Sequence, residues 1–175
     1  MSSAIMDETN INRALMRISH EIIEKNETDK DLCIIGIKSR GIALGKIIFD
    51  NLISLGAEAN FGSIDITHYR DDLTDEIEAD VQETDINFNV SGKTVILVDD
   101  VIFTGRTTRA AIDALLALGR PSKIQLAVLV DRGHREFPIR PDYVGKNIPT
   151  SRSEVVKVSI PPYDNDTNVK IIHNN

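Results

Sequence analysis

The chain has a single cysteine in 175 residues. Cys33 lies within an apolar run, so no disulfide can form within the chain and a buried, inert thiol is expected. No apolar run approaches the ~20 residues that a membrane-spanning helix needs; the longest are of strand length. The opening residues, MSSAIMDETN, lack the basic start and apolar stretch of a secretory signal. These absences point to a cytoplasmic protein with no membrane partner. There is no internal repeat or low-complexity segment, and neither a His/Cys cluster at metal-ligand spacing nor a nucleophile–base pair is visible. Basic residues are missing from one long stretch, 71–85 (DDLTDEIEADVQETD), which carries eight acids and no Lys or Arg. The net charge of −7 comes from that stretch, and the rest of the chain sums to +1. Average charge therefore excludes no partner, and the acidic stretch reads as a solvated mobile loop over about residues 70–86.

What is present is an ordinary globular composition, 41% hydrophobic and 27% charged, of a length that suits one domain over residues 1–175. Residues 10–25 repeat apolar side chains at helical spacing (Ile11, Ala14, Leu15, Ile18, Ile22, Ile23), with Thr9 or Asn10 available as a cap. Residues 32–37 form an apolar run of strand length, and 41–55 read as a helix ended by Gly56. Strands are expected at 63–69, 94–98, 124–130, 143–144 and 155–159, and a helix at 107–118. The tail from Pro161 reads as loose, with an edge strand possible at 169–172. Strands alternating with helices imply an α/β fold, a mainly parallel sheet covered on both faces, with ligands beyond the carboxyl ends of the strands.

The most informative run is VILVDDVIFTGRTT, residues 95–108. A buried strand delivers two adjacent carboxylates, Asp99 and Asp100, to its carboxyl end. Acids so placed are costly to bury unpaired and should face a ligand, a metal or basic groups; the bland alternative is a solvated acid pair. The loop that follows, Thr104, Gly105, Arg106, Thr107 and Thr108, combines a glycine that tolerates positive φ with hydroxyls at a helix N-terminus. That is a cradle for an anion, or else a simple capping loop. A second glycine loop, GIKSRG at 36–41, has P-loop spacing, but Ile42 and Ala43 follow where Lys and Ser or Thr are required, so an ATP-binding reading fails.

The 95–108 run closely resembles the phosphoribosyl-pyrophosphate (PRPP) signature of type I phosphoribosyltransferases. The resemblance implies that fold, with a small hood made mainly by residues 131–152 and the C-terminal part. It assigns the ribose hydroxyls to Asp99 and Asp100, and the 5-phosphate to the loop from Val101, Ile102 and Phe103 through Thr108. Ser39, Arg40 and Gly41 look like the pyrophosphate loop of the same family. Arg70, in DITHYRDD, is the candidate for a further pyrophosphate contact from the mobile loop. Catalytic roles thus fall to Asp99, Asp100, Arg40 and Arg70, with Mg²⁺ carried mainly by PRPP and no protein metal cage.

Departures from related enzymes bear on the acceptor base. Enzymes of this family acting on 6-oxopurines have an acid where this chain has Phe103, and a lysine where it has Asp131. The lysine-rich mobile loop of orotate enzymes is also missing. From residue 11 to 159 the chain is similar to the PyrR family of bifunctional pyrimidine-operon attenuators with uracil phosphoribosyltransferase activity. Three segments carry this in order: IDITHYRDDL, VILVDDVIFTGRTTRAAIDAL and LAVLVDRGHREFPIRPDYVGKNIPTSRSE. The resemblance implies uracil as acceptor, UMP and UTP as effectors, and a stem-loop of pyrimidine-operon mRNA as partner. It also implies a homo-oligomer, a dimer or higher. Asp131, Arg132, Tyr143 (stacking on the ring) and Val144 are the expected hood contacts to the base. Residues 132–152 carry five Arg or Lys against two acids, and Arg13, Arg17 and His20 share a face of the first helix. Arg17, His20, Arg140 and Lys146 are the RNA-binding candidates. Two other readings stay open: a nucleotide-sensing RNA-binding regulator with weak or no catalysis, and a purine salvage transferase.

Overall fold

Apolar side chains at alternating positions of three consecutive buried runs dictate a sheet with two covered faces. The computed structural model describes residues 3–69 and 84–173. In chain order its elements are β1 (Ser3–Met6), α1 (Glu8–Lys25), β2 (Leu32–Ile37), α2 (Arg40–Ser54), β3 (Ala59–Ile64), β4 (Thr94–Ile102), α3 (Arg106–Leu116), β5 (Lys123–Asp131), β6 (Tyr143–Asn147), β7 (Glu154–Ser159) and β8 (Asn168–His173). Five strands pair in parallel in the order β3-β2-β4-β5-β6. One face, with Ile34, Ile96, Val98 and Leu129, packs on Ile11, Leu15, Ile18 and Ile22 of α1 and on Leu44, Ile48 and Leu52 of α2. The other, with Cys33, Ile35, Val95, Leu97 and Val128, packs on Ala110, Ala111, Ala114 and Leu115 of α3. Cys33 is fully buried, as its apolar surroundings require.

Strand order sets the position of the site. From β2 the chain crosses through α2 toward β3 at one edge; from neighbouring β4 it crosses through α3 toward β5 on the other side. The two connections diverge, which opens a crevice at the carboxyl ends of β2 and β4. Both glycine loops seen in the sequence leave the sheet there.

Several expectations shift. The strand expected at 63–69 is displaced to Ala59–Ile64, and a 3₁₀ turn occupies Thr67–Tyr69. Asp65 ends the strand by accepting the Thr67 N–H at 2.9 Å and its hydroxyl at 2.6 Å, a competing local bond that strands do not survive. β4 does not stop at Val98 but runs through both acids to Ile102. The tail is not loose, because β8 pairs antiparallel with β7 and with β1 in a separate three-stranded sheet. Most of the acidic loop, with Arg70, lies outside the described residues. Its described return, Asp85, pairs with Ser63 through two backbone bonds of 2.9 Å.

At the amino edge of the sheet a polar cluster is buried. Tyr143 donates its hydroxyl to Gln125 at 2.7 Å and accepts from Asn26 at 3.1 Å, while Asn26 and Gln125 exchange two amide bonds of 3.0 Å. Burial pushes the Tyr143 phenol up to about 12 from an ordinary 10.0. The unfolded chain then ionises first, so this contribution is complete below pH ~10 and lost as pH rises through 12, at most roughly 3 kcal/mol. Urea unfolding between pH 9 and 12 should show that decline in the parent and a flatter profile in Tyr143→Phe. Equal slopes would contradict it.

Candidate functional site

The two anion loops differ from the start of α1 in one physical respect. Asp7 caps α1 by accepting the Asn10 N–H at 2.8 Å. Neither Ser39 before α2 nor Gly105 before α3 makes a side-chain cap. Arg106 N–H donates to Thr104 Oγ1 at 3.3 Å and Ile42 N–H to the Ser39 carbonyl at 3.1 Å; the other first-turn amides of α2 and α3, with the positive ends of two helix dipoles, lie at the same crevice. Gly105 has φ 91°, a left-handed conformation that glycine adopts without strain. Residues 101–108 with Glu136 line a cavity of about 350 Å³. Thr108 is buried, while Thr104 and Thr107 are partly open.

Asp99 and Asp100 stand between the loops. Asp99 is 7% exposed and accepts the Asp100 N–H at 2.9 Å, while Asp100 accepts the Val101 N–H at 2.8 Å. Each carboxylate is thus fixed by one oxygen. Gly41 brings α2 onto β4 at this point: a Cβ there would run into the Val98 carbonyl oxygen and stand 3.3 Å from Asp99 Cα. Arg40, Asp99, Asp100 and the Thr104–Thr108 loop are accordingly brought together.

Two acids given no site role from the sequence belong to this region. Asp164 holds Arg40 by two bonds, Nε to Oδ2 at 2.9 Å and Nη2 to Oδ1 at 3.0 Å. That contact raises the Arg40 guanidinium and holds the Asp164 carboxyl below the usual carboxylate range. Glu136 sits 3.4 Å from Arg106 and lines the 101–108 cavity. Lys38 lies 3.6 Å from Asp65, linking the first loop to the turn after β3. Burial pushes the Asp65 carboxyl up, but the Thr67 bonds and Lys38 outweigh it, and the net direction is down. The only local signal for Asp164 was a Pro-Pro turn ahead of it.

The segment after β5 is tied to the 104–108 loop by Glu136 and Phe137 N–H groups, both donating to the Thr104 carbonyl. Arg132, buried at 6% exposure, lies 3.9 Å over the Phe103 ring and donates to Thr150 Oγ1 and the Ser151 carbonyl. Burial lowers its guanidinium despite Glu154. Asp131 accepts from Gly133 N–H and pairs with Arg135 at 2.6 Å. One expected base contact needs correction. Tyr143, 2% exposed, points to the Asn26–Gln125 cluster at the opposite edge of the sheet and offers no ring for stacking. The Val144 carbonyl accepts from Arg17 at 3.2 Å.

Of the RNA candidates, Arg17 and Lys146 line one groove with Arg13, of about 400 Å³. His20 and Arg140 are exposed. Arg17 is partly committed, donating to the Val144 and Gly145 carbonyls and to Glu21.

An acid pair between two helix starts at a switch point suits a phosphoribosyl transferase, and the comparisons with known proteins agree. The family model for the phosphoribosyl transferase domain matches residues 1–164. The chain is 55% identical over 169 residues to the bifunctional protein PyrR of Caldicellulosiruptor bescii, covering 95% of this chain and 93% of that one. It is 53% identical to the PyrR protein of Clostridioides difficile, covering 95% and 96%. The chain belongs to the PyrR family within the phosphoribosyl transferases. Solved hypoxanthine phosphoribosyltransferase from Trypanosoma cruzi superposes with a TM-score of 0.74 at 17% identity, covering 99% of this chain and 97% of that one. The hypoxanthine-guanine enzyme of Bacillus anthracis gives 0.73 at 16%, covering 97% and 96%. At such identity the likeness carries the fold alone.

Proposed function

We propose that the chain, acting as one domain, transfers a phosphoribosyl group from PRPP to uracil, giving UMP and pyrophosphate, and also acts as a UMP/UTP-dependent RNA-binding attenuator of pyrimidine-operon transcription. One observation carries the transferase reading: Asp99 and Asp100 lie between the N-termini of α2 and α3, with Gly41 packed against Val98. In this reading Asp99 and Asp100 accept the ribose hydroxyls. The 101–108 loop donates to the 5-phosphate, and Ser39, Arg40 and Gly41 receive pyrophosphate. The reaction breaks the C1–O bond to pyrophosphate, which leaves with the electron pair, as the uracil N1 bonds to C1 and gives up its proton. Charge develops on an oxocarbenium-like sugar, so orientation and electrostatics supply the catalysis. Arg70 remains a candidate for a pyrophosphate contact.

Among the described residues no group of three His, Cys, Asp or Glu could cage a metal. With one oxygen each held by a backbone N–H, Asp99 and Asp100 suit a hydrated Mg²⁺ arriving with PRPP, touched through water or the ribose. That ion would neutralise charge on the departing pyrophosphate. The base is read at the hood by Arg132 and Asp131. Phe103 under Arg132, in the position of an acid in 6-oxopurine enzymes, supports a pyrimidine over a purine. The family supports a cytoplasmic homo-oligomer, and no described helix is long and apolar enough to cross a membrane. Arg17, His20, Arg140 and Lys146 are the residues proposed to contact RNA, of which Arg17 and Lys146 share a groove.

The test is nucleotide formation from PRPP and Mg²⁺ with uracil, hypoxanthine or orotate, alongside binding of a pyrimidine-leader stem-loop with and without UMP. Turnover with uracil alone is expected, and RNA affinity should rise with UMP. Arg140→Ala should weaken the RNA complex about tenfold, the scale of one lost phosphate or base contact of 1–3 kcal/mol, and leave turnover unchanged. Turnover with hypoxanthine, or RNA affinity indifferent to Arg140, would overturn the respective half.

A further inference from the structure

An arginine at a helix N-terminus is in an unfavourable field, since the aligned peptide dipoles present positive charge there. Arg40 is the first residue of α2, and left alone its guanidinium would swing toward solvent. Instead it is gripped from 124 residues away, with Nε and Nη2 on the two oxygens of Asp164. The side chains are 32% and 15% exposed, so the pair is partly shielded from water. The carboxylate is itself held in place. Its Oδ2 accepts the Ile160 N–H at 3.0 Å, and the Asp164 N–H returns to the Ile160 carbonyl at 3.1 Å. That turn follows β7 and precedes β8, whose six-residue antiparallel pairing anchors it.

We propose that Asp164 is a positioning residue for pyrophosphate recognition: it fixes the Arg40 guanidinium so that its remaining N–H groups meet the phosphate oxygens. This rests on the reading of residues 39–41 as the pyrophosphate loop. A guanidinium has five N–H donors in a rigid plane. Asp164 takes the Nε edge, which leaves the Nη1 pair and the second Nη2 hydrogen directed away from the carboxylate. Ordering a free arginine on binding costs side-chain entropy, a cost the ion pair has already met in the folded chain. Asp164 also offsets the helix-dipole penalty that would otherwise displace the group. The C-terminal sheet thereby serves the site without touching the sugar or the base.

The decisive measurement is calorimetric binding of Mg²⁺-pyrophosphate to the full-length parent, Asp164→Asn, Asp164→Glu, Arg40→Ala and the Arg40→Ala/Asp164→Asn double variant. Asp164→Asn should weaken binding about tenfold, and the double variant should be no weaker than Arg40→Ala alone, because residues acting through one another are not additive. Asp164→Glu, which keeps the charge, should fall between parent and Asp164→Asn. In turnover, the KM for PRPP should rise with the KM for uracil unchanged, a split that general loosening of the fold would not give. Parent-like binding in Asp164→Asn, with a loss in Arg40→Ala, overturns the positioning role and leaves the loop reading intact. Parent-like binding in Arg40→Ala overturns the loop reading and this proposal with it. Additive losses, or weaker binding in Asp164→Glu than in Asp164→Asn, also overturn it.

Discussion

Asp100→Asn is expected to lower UMP formation by about 10²–10³-fold, the range seen when one preorganised polar group at a reacting centre is removed. The substitution is nearly isosteric. The amide oxygen can keep the 2.8 Å bond from the Val101 N–H that now goes to Oδ1, so the loss falls on the other oxygen, the one proposed to accept a ribose hydroxyl. An NH₂ group there replaces an acceptor by a donor, and a negative charge near Arg40 disappears. The thermal midpoint should stay close to that of the parent, because no core contact is lost. Initial rates at saturating uracil and varied PRPP decide the matter. A variant within threefold of the parent would remove Asp100 from the site.

Gly41→Ala should do damage of another kind. Its Cβ would meet backbone, the Val98 carbonyl oxygen, and backbone cannot rotate aside as a side chain can. The N-terminus of α2 must lift from β4, at an overpacking cost of about 1–3 kcal/mol. The same shift separates Arg40 from the acid pair, so PRPP binding should be lost even at temperatures where the chain stays folded. Gly45→Ala, one turn further along α2, is the internal comparison. There the nearest atoms to the new Cβ are at 3.4 Å, ordinary contact, and helix propensity favours alanine by about 1 kcal/mol. Chemical denaturation of the two variants should therefore move in opposite directions. Similar midpoints would show that close approach at Gly41 is not what fixes the loop.

What could be seen in the sequence followed from how local its cause was. α1 was readable because Ile11, Leu15, Ile18 and Ile22 repeat on one face of a single helix. The crevice was readable because strand, acid pair, glycine and helix are contiguous between residues 95 and 108. β3 was misjudged because it is an edge strand, mostly half-buried, so its apolar signal is weak; buried Ile64 and Ile66 carried the alternation past its true end. β1 has four residues and exists only through its pairing with β8. Asp164 was invisible because its partner lies 124 residues away. Tyr143 was misassigned because sequence gives a strand's residues but not its register, and opposite Ala127 its phenol reaches Gln125 rather than the crevice.

The Asn26–Gln125–Tyr143 cluster also favours one register of β6 on β5. β6 is short, and its apolar content alone would tolerate sliding along β5. A slip of one residue would turn Tyr143 to the opposite face. Its hydroxyl would then lose both amide partners, at about 1–3 kcal/mol for each buried polar group left unsatisfied. Misaligned pairing is thereby penalised at the edge strand of the parallel sheet.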